Sequence, residues 1–210
     1  MPLGSLYFTN RQRVSTQTED NLTVAQSPVG NINVPGGKLR VSNIPIGSVA
    51  YASLGNNTTD VNGQLWITDI LVPFNRTVST IGVLSGGTAT TDKWIAAIYD
   101  SFGVLIASTA VAGQTLSGAN TFQTQAIALN YARGTTTATA ATSVALSGPQ
   151  QYFVVVQGNG TQAGSFSTVA ASTYIDVVGS IVAGTFGTLP ASITVPTTFT
   201  ANQAPIIYLQ

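Results

Sequence analysis

KWIAAIYDSFGVLIAST, at Lys93–Thr109, has the pattern of two β-strands joined by a tight turn. In its first half, the apolar residues fall into two sets that alternate with a period of two, as along a strand: Trp94, Ala96 and Ile98 on one face and Ile95, Ala97 and Tyr99 on the other. The tetrad Asp100-Ser101-Phe102-Gly103 is typical of a type I turn closed by glycine, and a second apolar run follows it. A helix fits less well, because the first run is short and rich in β-branched and aromatic residues, and Gly103 interrupts it. The hairpin therefore predicts an all-β fold.

Strand patterns continue on both sides of this hairpin, separated by turn residues, with no pattern for a long helix. Eight antiparallel strands can close as a jelly roll, in which two four-stranded sheets pack face to face. We therefore predict an antiparallel jelly-roll β-sandwich over residues 61–210, with the connection 158–203 adding a ribbon at one rim. The predicted strands are Leu65–Val72, Thr77–Leu84, the two of the hairpin, Thr121–Tyr131, Ser143–Leu146, Gln151–Gln157 and Ala204–Leu209.

Residues 1–60 lack this regularity, and we predict that they form an extended N-terminal arm with a possible small hairpin. The segment holds four of the seven basic residues and four of the nine prolines of the chain. An arm that carries apolar and basic side chains near its tip can dock on a partner and become ordered there. The alternative is an N-terminal strand pair folded onto the main domain. The predicted contact residues of the arm are Leu3, Leu6, Tyr7, Phe8, Arg11 and Arg13.

The composition limits the classes of function. Charged residues make up 7% of the chain, against roughly 25% in ordinary domains, and the net charge is zero. A surface with so few charges repels its own copies weakly, which favours a place in a large assembly; a plain polar surface is the alternative. Zero net charge argues against nucleic-acid binding, and no apolar run is long enough to cross a membrane. Residues 1–30 lack the pattern of a secretion signal, which predicts a protein that is made in the cytoplasm and not secreted by that route.

No residue pattern predicts catalysis, so we expect no enzymatic activity, no cofactor and no metal site. Cysteine and histidine are absent from the sequence, and the aspartates of the main domain show no spacing that selects a catalytic pair. Asp100 fits a turn-capping role, and Asp92 fits a local turn or an ion pair with Lys93. Trp66 and Trp94 could form a platform for a sugar, but their alternating apolar strands favour the core.

Several short phrases follow one another in a characteristic order along residues 64–210. They are Thr91-Asp92-Lys93, Tyr99-Asp100-Ser101-Phe102-Gly103, Gly148-Pro149, Asn159-Gly160-Thr161, Gly184-Thr185-Phe186-Gly187-Thr188 and Pro196-Thr197-Thr198-Phe199-Thr200. In this order they resemble small virion proteins of tailed bacteriophages and are similar to jelly-roll decoration, or cement, proteins of the capsid surface. The resemblance implies a structural homotrimer without catalytic residues that is made in the host cytoplasm and binds the major capsid protein on the virion surface. The alternative is a tail-fibre or receptor- or glycan-binding module of a phage.

Overall fold

The fold is all-β in the computed structural model, which describes residues 40–44, 50–60, 62–160, 162, 164–170 and 177–210. Within these ranges the only helix is a single 3-10 turn at Tyr51–Ser53, and all strand pairs are antiparallel. The fifteen strands are β1 (Val41–Ser42), β2 (Asn56–Thr59), β3 (Gln64–Val72), β4 (Arg76–Val78), β5 (Thr80–Leu84), β6 (Lys93–Tyr99), β7 (Leu105–Thr109), β8 (Gln114–Thr115), β9 (Phe122–Tyr131), β10 (Ala138–Ala140), β11 (Val144–Leu146), β12 (Gln150–Gly158), β13 (Ser165–Thr168), β14 (Gly179–Ala183) and β15 (Ile207–Leu209).

All eight strands predicted from the sequence are present, and the all-β prediction is confirmed. One predicted strand, Thr77–Leu84, is divided into β4 and β5, because its two parts pair with different neighbours. The first part pairs with β11, whereas the second lies between β15 and β9. The division falls at Ser79, where the backbone N–H groups of Ser79 and Thr80 both donate to the carbonyl oxygen of Gln210.

Most strands belong to one eleven-stranded sheet, which has the main order β1-β15-β5-β9-β7-β6-β12-β3-β14. The long strand β9 divides this sheet into two halves, because its first five residues pair with β5 and its later residues pair with β7 and β10. Ile81 and Ile207 of one half pack in the same buried cluster as Trp66 and Trp94 of the other. The two halves therefore face each other as the layers of a β-sandwich, while the jelly-roll topology stays a prediction.

A second buried cluster covers the other face of β3, β6 and β12. It is closed by residues 184–195, which contribute Leu189 in the buried part and Phe186, Ile193 and Val195 around it. The sequence predicted only a ribbon at the rim for the connection 158–203; β14 is such an edge strand, but residues 184–195 lie across the face of the sheet. This cover explains why β6 and β12 are almost continuously apolar, since both of their faces are buried.

Part of the predicted N-terminal arm belongs to the β fold. Strand β1 pairs with β15, and β2 pairs with β13. Ile44 and Leu54 are 1% and 5% exposed and pack in a third cluster with Ile206. Residues 1–39 lie outside the described residues, so an arm over that part of the chain stays a prediction.

Candidate attachment surface

The six residues predicted to contact a partner, Leu3, Leu6, Tyr7, Phe8, Arg11 and Arg13, all lie outside the described residues. The candidate surface that the structure does describe is at the turn between β6 and β7, in the hairpin from which the fold was predicted. We call this turn, Asp100-Ser101-Phe102-Gly103, together with the side chain of Arg133, the tip.

The carboxylate of Asp100 organises the turn. Its Oδ1 atom accepts the backbone N–H groups of Phe102 and Val104, each at 2.9 Å, and its backbone carbonyl accepts the N–H of Gly103 at 2.9 Å. Gly103 has a φ of 76°, a left-handed conformation that glycine adopts without strain. The turn-capping role predicted for Asp100 is therefore confirmed, and the backbone around Phe102 is fixed by at least three hydrogen bonds.

Arg133, in the turn between β9 and β10, completes the tip. Its guanidinium donates to Oδ2 of Asp100 at 3.1 Å, and its Cζ atom lies 5.9 Å from the centroid of the Phe102 ring. The Asp100 carboxylate therefore holds both the turn backbone and the arginine. The Phe102 side chain remains 75% exposed, more than any other large hydrophobic residue among those described.

Contacts behind the turn attach it to the rest of the domain. The N–H of Ile193 donates to the carbonyl of Gly103 at 2.8 Å, and Nε2 of Gln150 donates to Oγ of Ser101 at 2.9 Å. Tyr99 precedes the turn, and its hydroxyl donates to the carbonyl of Pro190 at 3.0 Å. Burial raises the pKa of the Tyr99 hydroxyl well above its usual value, and the neighbouring Tyr131 contributes in the same direction. The turn of the tip is thus hydrogen-bonded to the segments behind it.

The buried aspartates serve the fold. Asp92 is fully buried, and its carboxylate accepts backbone N–H groups from Gln162 and Gly164 at 2.8–3.0 Å. Asp69 accepts the N–H of Val178 at 2.9 Å and Nε2 of Gln151 at 3.0 Å. Both carboxylates therefore tie the connection 158–203 to the central strands. Across the described ranges, no three side chains of histidine, cysteine, aspartate or glutamate lie close enough together to hold a metal ion.

The two tryptophans are core residues, as the alternation predicted. Trp66 is 1% exposed and Trp94 is 0% exposed, and both pack between the two halves of the sheet. Neither indole ring presents a face to solvent, so neither can form a platform for a sugar.

A different aromatic group reaches the surface on the outer side of the β1–β15–β5–β9 half. The ring of Tyr51 meets that of Phe122 edge-on at 5.2 Å, and Phe122 meets Tyr208 at 5.0 Å. The guanidinium of Arg40 lies over the Tyr208 ring at 4.3 Å, and Tyr51 is 37% exposed. Sequence reasoning missed this aromatic row, because Tyr51, Phe122 and Tyr208 come from three distant segments and share no local pattern.

No family model matches the chain, and no curated protein matches it. Among the residues that the structure describes, no helix is long and apolar enough to cross a membrane.

Proposed function

We propose that this chain is a structural virion protein that decorates the outer surface of a phage capsid and strengthens the head by binding the major capsid protein. The observation that carries this proposal is the tip, where a turn fixed by Asp100 presents Phe102 beside Arg133. Such a feature suits attachment to another protein rather than chemistry on a small molecule. The order of sequence phrases that resembles decoration proteins supports the same role.

An exposed aromatic ring beside an arginine has the composition of a binding hot spot, in which a few residues supply most of the binding energy. The backbone that carries Phe102 is held by hydrogen bonds in the free protein. Because the turn backbone is already hydrogen-bonded and packed against residue Ile193, little conformational entropy is lost when the ring enters a pocket on a partner. Burial of a phenylalanine side chain contributes roughly 1.5–3 kcal/mol.

The low charge of the chain fits a protein that spends its functional life in an assembly. One of the few charged pairs of the described residues, Arg133 with Asp100, lies at the tip. We propose that three copies associate, so that three tips act together, because linked weak contacts bind more tightly than one. The N-terminal arm, with its predicted contact residues in 1–39, would add further contacts to the capsid.

Imaging of whole virions by electron cryo-microscopy tests this proposal. We expect density for the β-sandwich over the whole head, in trimers, with the tip directed at the capsid shell. Density confined to the tail would contradict decoration.

Deletion of residues 1–30 tests the arm separately: we expect an unchanged melting temperature of the β domain and loss of binding to undecorated capsids. Unchanged affinity of the shortened protein would show that the arm is not an anchor.

The alternative function, a receptor- or glycan-binding module of a tail fibre, is favoured by the aromatic row. Sugars stack on aromatic rings and accept hydrogen bonds from arginine, and Tyr51 and Arg40 offer these groups on one face of the sheet. A glycan array distinguishes the two functions. Binding that is lost in Tyr51→Ala but kept in Phe102→Ala would favour the fibre module, whereas a blank array is expected for a decoration protein.

A further inference from the structure

Among the residues that the structure describes, strand β10 pairs along only one of its two edges. It pairs with β9, and the N–H of Ala141 donates to Ala128 at 2.9 Å, while the N–H of Ala132 donates to Thr137 at 3.2 Å. These two bonds fix the alternation along the strand. The backbone groups of Thr137, Thr139 and Ala141 point toward β9, so those of Ala138 and Ala140 point away from it.

Apart from its short length of three residues, this edge lacks the devices that usually protect an exposed strand. Residues 132–140 are all exposed, and the sequence from Gly134 to Ser143 contains no charged residue and no proline. The edge strand β14, by contrast, is covered on its outer side. There the N–H of Gly179 donates to Thr198 at 3.3 Å, and the N–H of Ile181 donates to Oε1 of Gln203 at 3.2 Å.

We propose that β10 pairs with β10 of a second copy of this chain in an antiparallel ladder around a two-fold axis at Thr139. Ala138 would then lie opposite the partner's Ala140, and Ala140 opposite the partner's Ala138. About four backbone hydrogen bonds would form across the axis. The alternation Ala-Thr-Ala is the same in both directions, and the small uncharged side chains allow the strands to approach without repulsion. The edge is therefore complementary to itself, which is what a two-fold contact requires.

The contact is small, so it acts between copies that are already concentrated, as on a shared surface. A high protein concentration in solution serves the same purpose, so the contact and its test do not depend on the proposed function. A three-fold axis cannot pair a strand with itself, so in trimers the contact joins neighbouring trimers rather than the subunits of one trimer.

Cysteine cross-linking tests the pairing and its register, and the absence of cysteine from the natural sequence gives a clean background. At the axis, Thr139 would face the partner's Thr139 in a non-hydrogen-bonded pair, where the Cα atoms are about 4.5 Å apart and a disulfide can form. The matched control is Thr137→Cys, which is equally exposed but would lie about 14 Å from its counterpart along the strands. We expect Thr139→Cys to form a disulfide-linked dimer under mild oxidation and Thr137→Cys to remain unlinked.

Two charge variants in the Thr139→Cys background provide a second test. In Ala138→Lys/Ala140→Lys, lysines face lysines across the axis, whereas in Ala138→Lys/Ala140→Glu each lysine faces a glutamate. Both variants are substituted at the same two exposed positions, so we expect them to fold alike. We expect cross-linking to be roughly tenfold slower in the variant with two lysines. Equal cross-linking rates in the two charge variants, or cross-linking of Thr139→Cys no faster than that of Thr137→Cys, would overturn the proposal.

Discussion

The guanidinium of Arg133 lies 5.9 Å from the centre of the Phe102 ring, although the two residues belong to different hairpins. Both are positioned by one carboxylate, that of Asp100, which is 7% exposed. A buried acid thus holds an exposed aromatic ring and an exposed cation side by side. This relationship underlies the proposed attachment role.

The Arg133–Asp100 ion pair should matter more for binding than for stability. The Arg133 side chain is 69% exposed, and ion pairs of exposed residues contribute about 1 kcal/mol or less. We expect Arg133→Ala to change the free energy of unfolding in urea by no more than that amount. A loss several times larger would mean that the pair is a support of the fold and not a surface feature.

The packing of Tyr208 on Gly82 should make the Gly82→Ala variant unstable. A Cβ atom at Gly82 would overlap the ring of Tyr208, so the ring must move, and the contact of its hydroxyl with Thr124 at 2.6 Å would be disturbed. We expect a loss of about 1–3 kcal/mol in unfolding free energy. Gly87→Ala is the control, because its Cβ would meet only the ends of two polar side chains, those of Asn120 at 3.3 Å and Asn57 at 3.4 Å. Equal stability of the two variants would contradict the packing described.

The cover over the second face of the sheet should contribute a large part of the stability. Leu189 is 6% exposed and packs with the side chains of β6 and β12. We expect Leu189→Ala to lower the free energy of unfolding by about 2–4 kcal/mol. Val182→Ala, at a position that is 38% exposed, is the control and should have a much smaller effect. If both variants unfold at the same urea concentration, residues 184–195 do not close a core.

Alkaline pH should destabilise the protein through Tyr99. Its folded-state pKa is raised above the usual value of 10.0, so the hydroxyl stays protonated in the fold while the unfolded chain loses its proton. The stability contributed by neutral Tyr99 is therefore complete below pH 10 and is lost progressively above it. We expect the free energy of unfolding, measured with urea, to fall more between pH 9 and 11 for the natural protein than for Tyr99→Phe. An equal fall in the free energy of unfolding with pH for the two proteins would rule out this role of Tyr99.

Much of the fold could be predicted from the sequence, because alternation is a local signal. The strands around Trp66, Trp94 and Val154 carry it strongly, and all of the predicted strands are present. The short strands β8, β10 and β13 were missed, because two to four residues give too little pattern. Their pairing depends on neighbours that are far away in the chain.

Only part of the candidate site could be predicted from the sequence. The capping role of Asp100 is encoded within four residues, so the turn could be predicted. The exposure of Phe102 and the approach of Arg133 could not, since they depend on how β9 lies beside β7. The cover by residues 184–195 was missed for the same reason: its apolar residues are scattered among glycine and threonine and show no period.

The affinity of Phe102→Ala for undecorated capsids, measured by co-sedimentation at a series of protein concentrations, tests whether the tip is the anchor. Val111→Ala is the matched control, because Val111 is an exposed apolar residue beyond the opposite end of β7. If the tip is the anchor, Phe102→Ala binds roughly tenfold or more weakly than the natural protein, while Val111→Ala binds normally. Unchanged capsid affinity of a correctly folded Phe102→Ala variant would contradict the account.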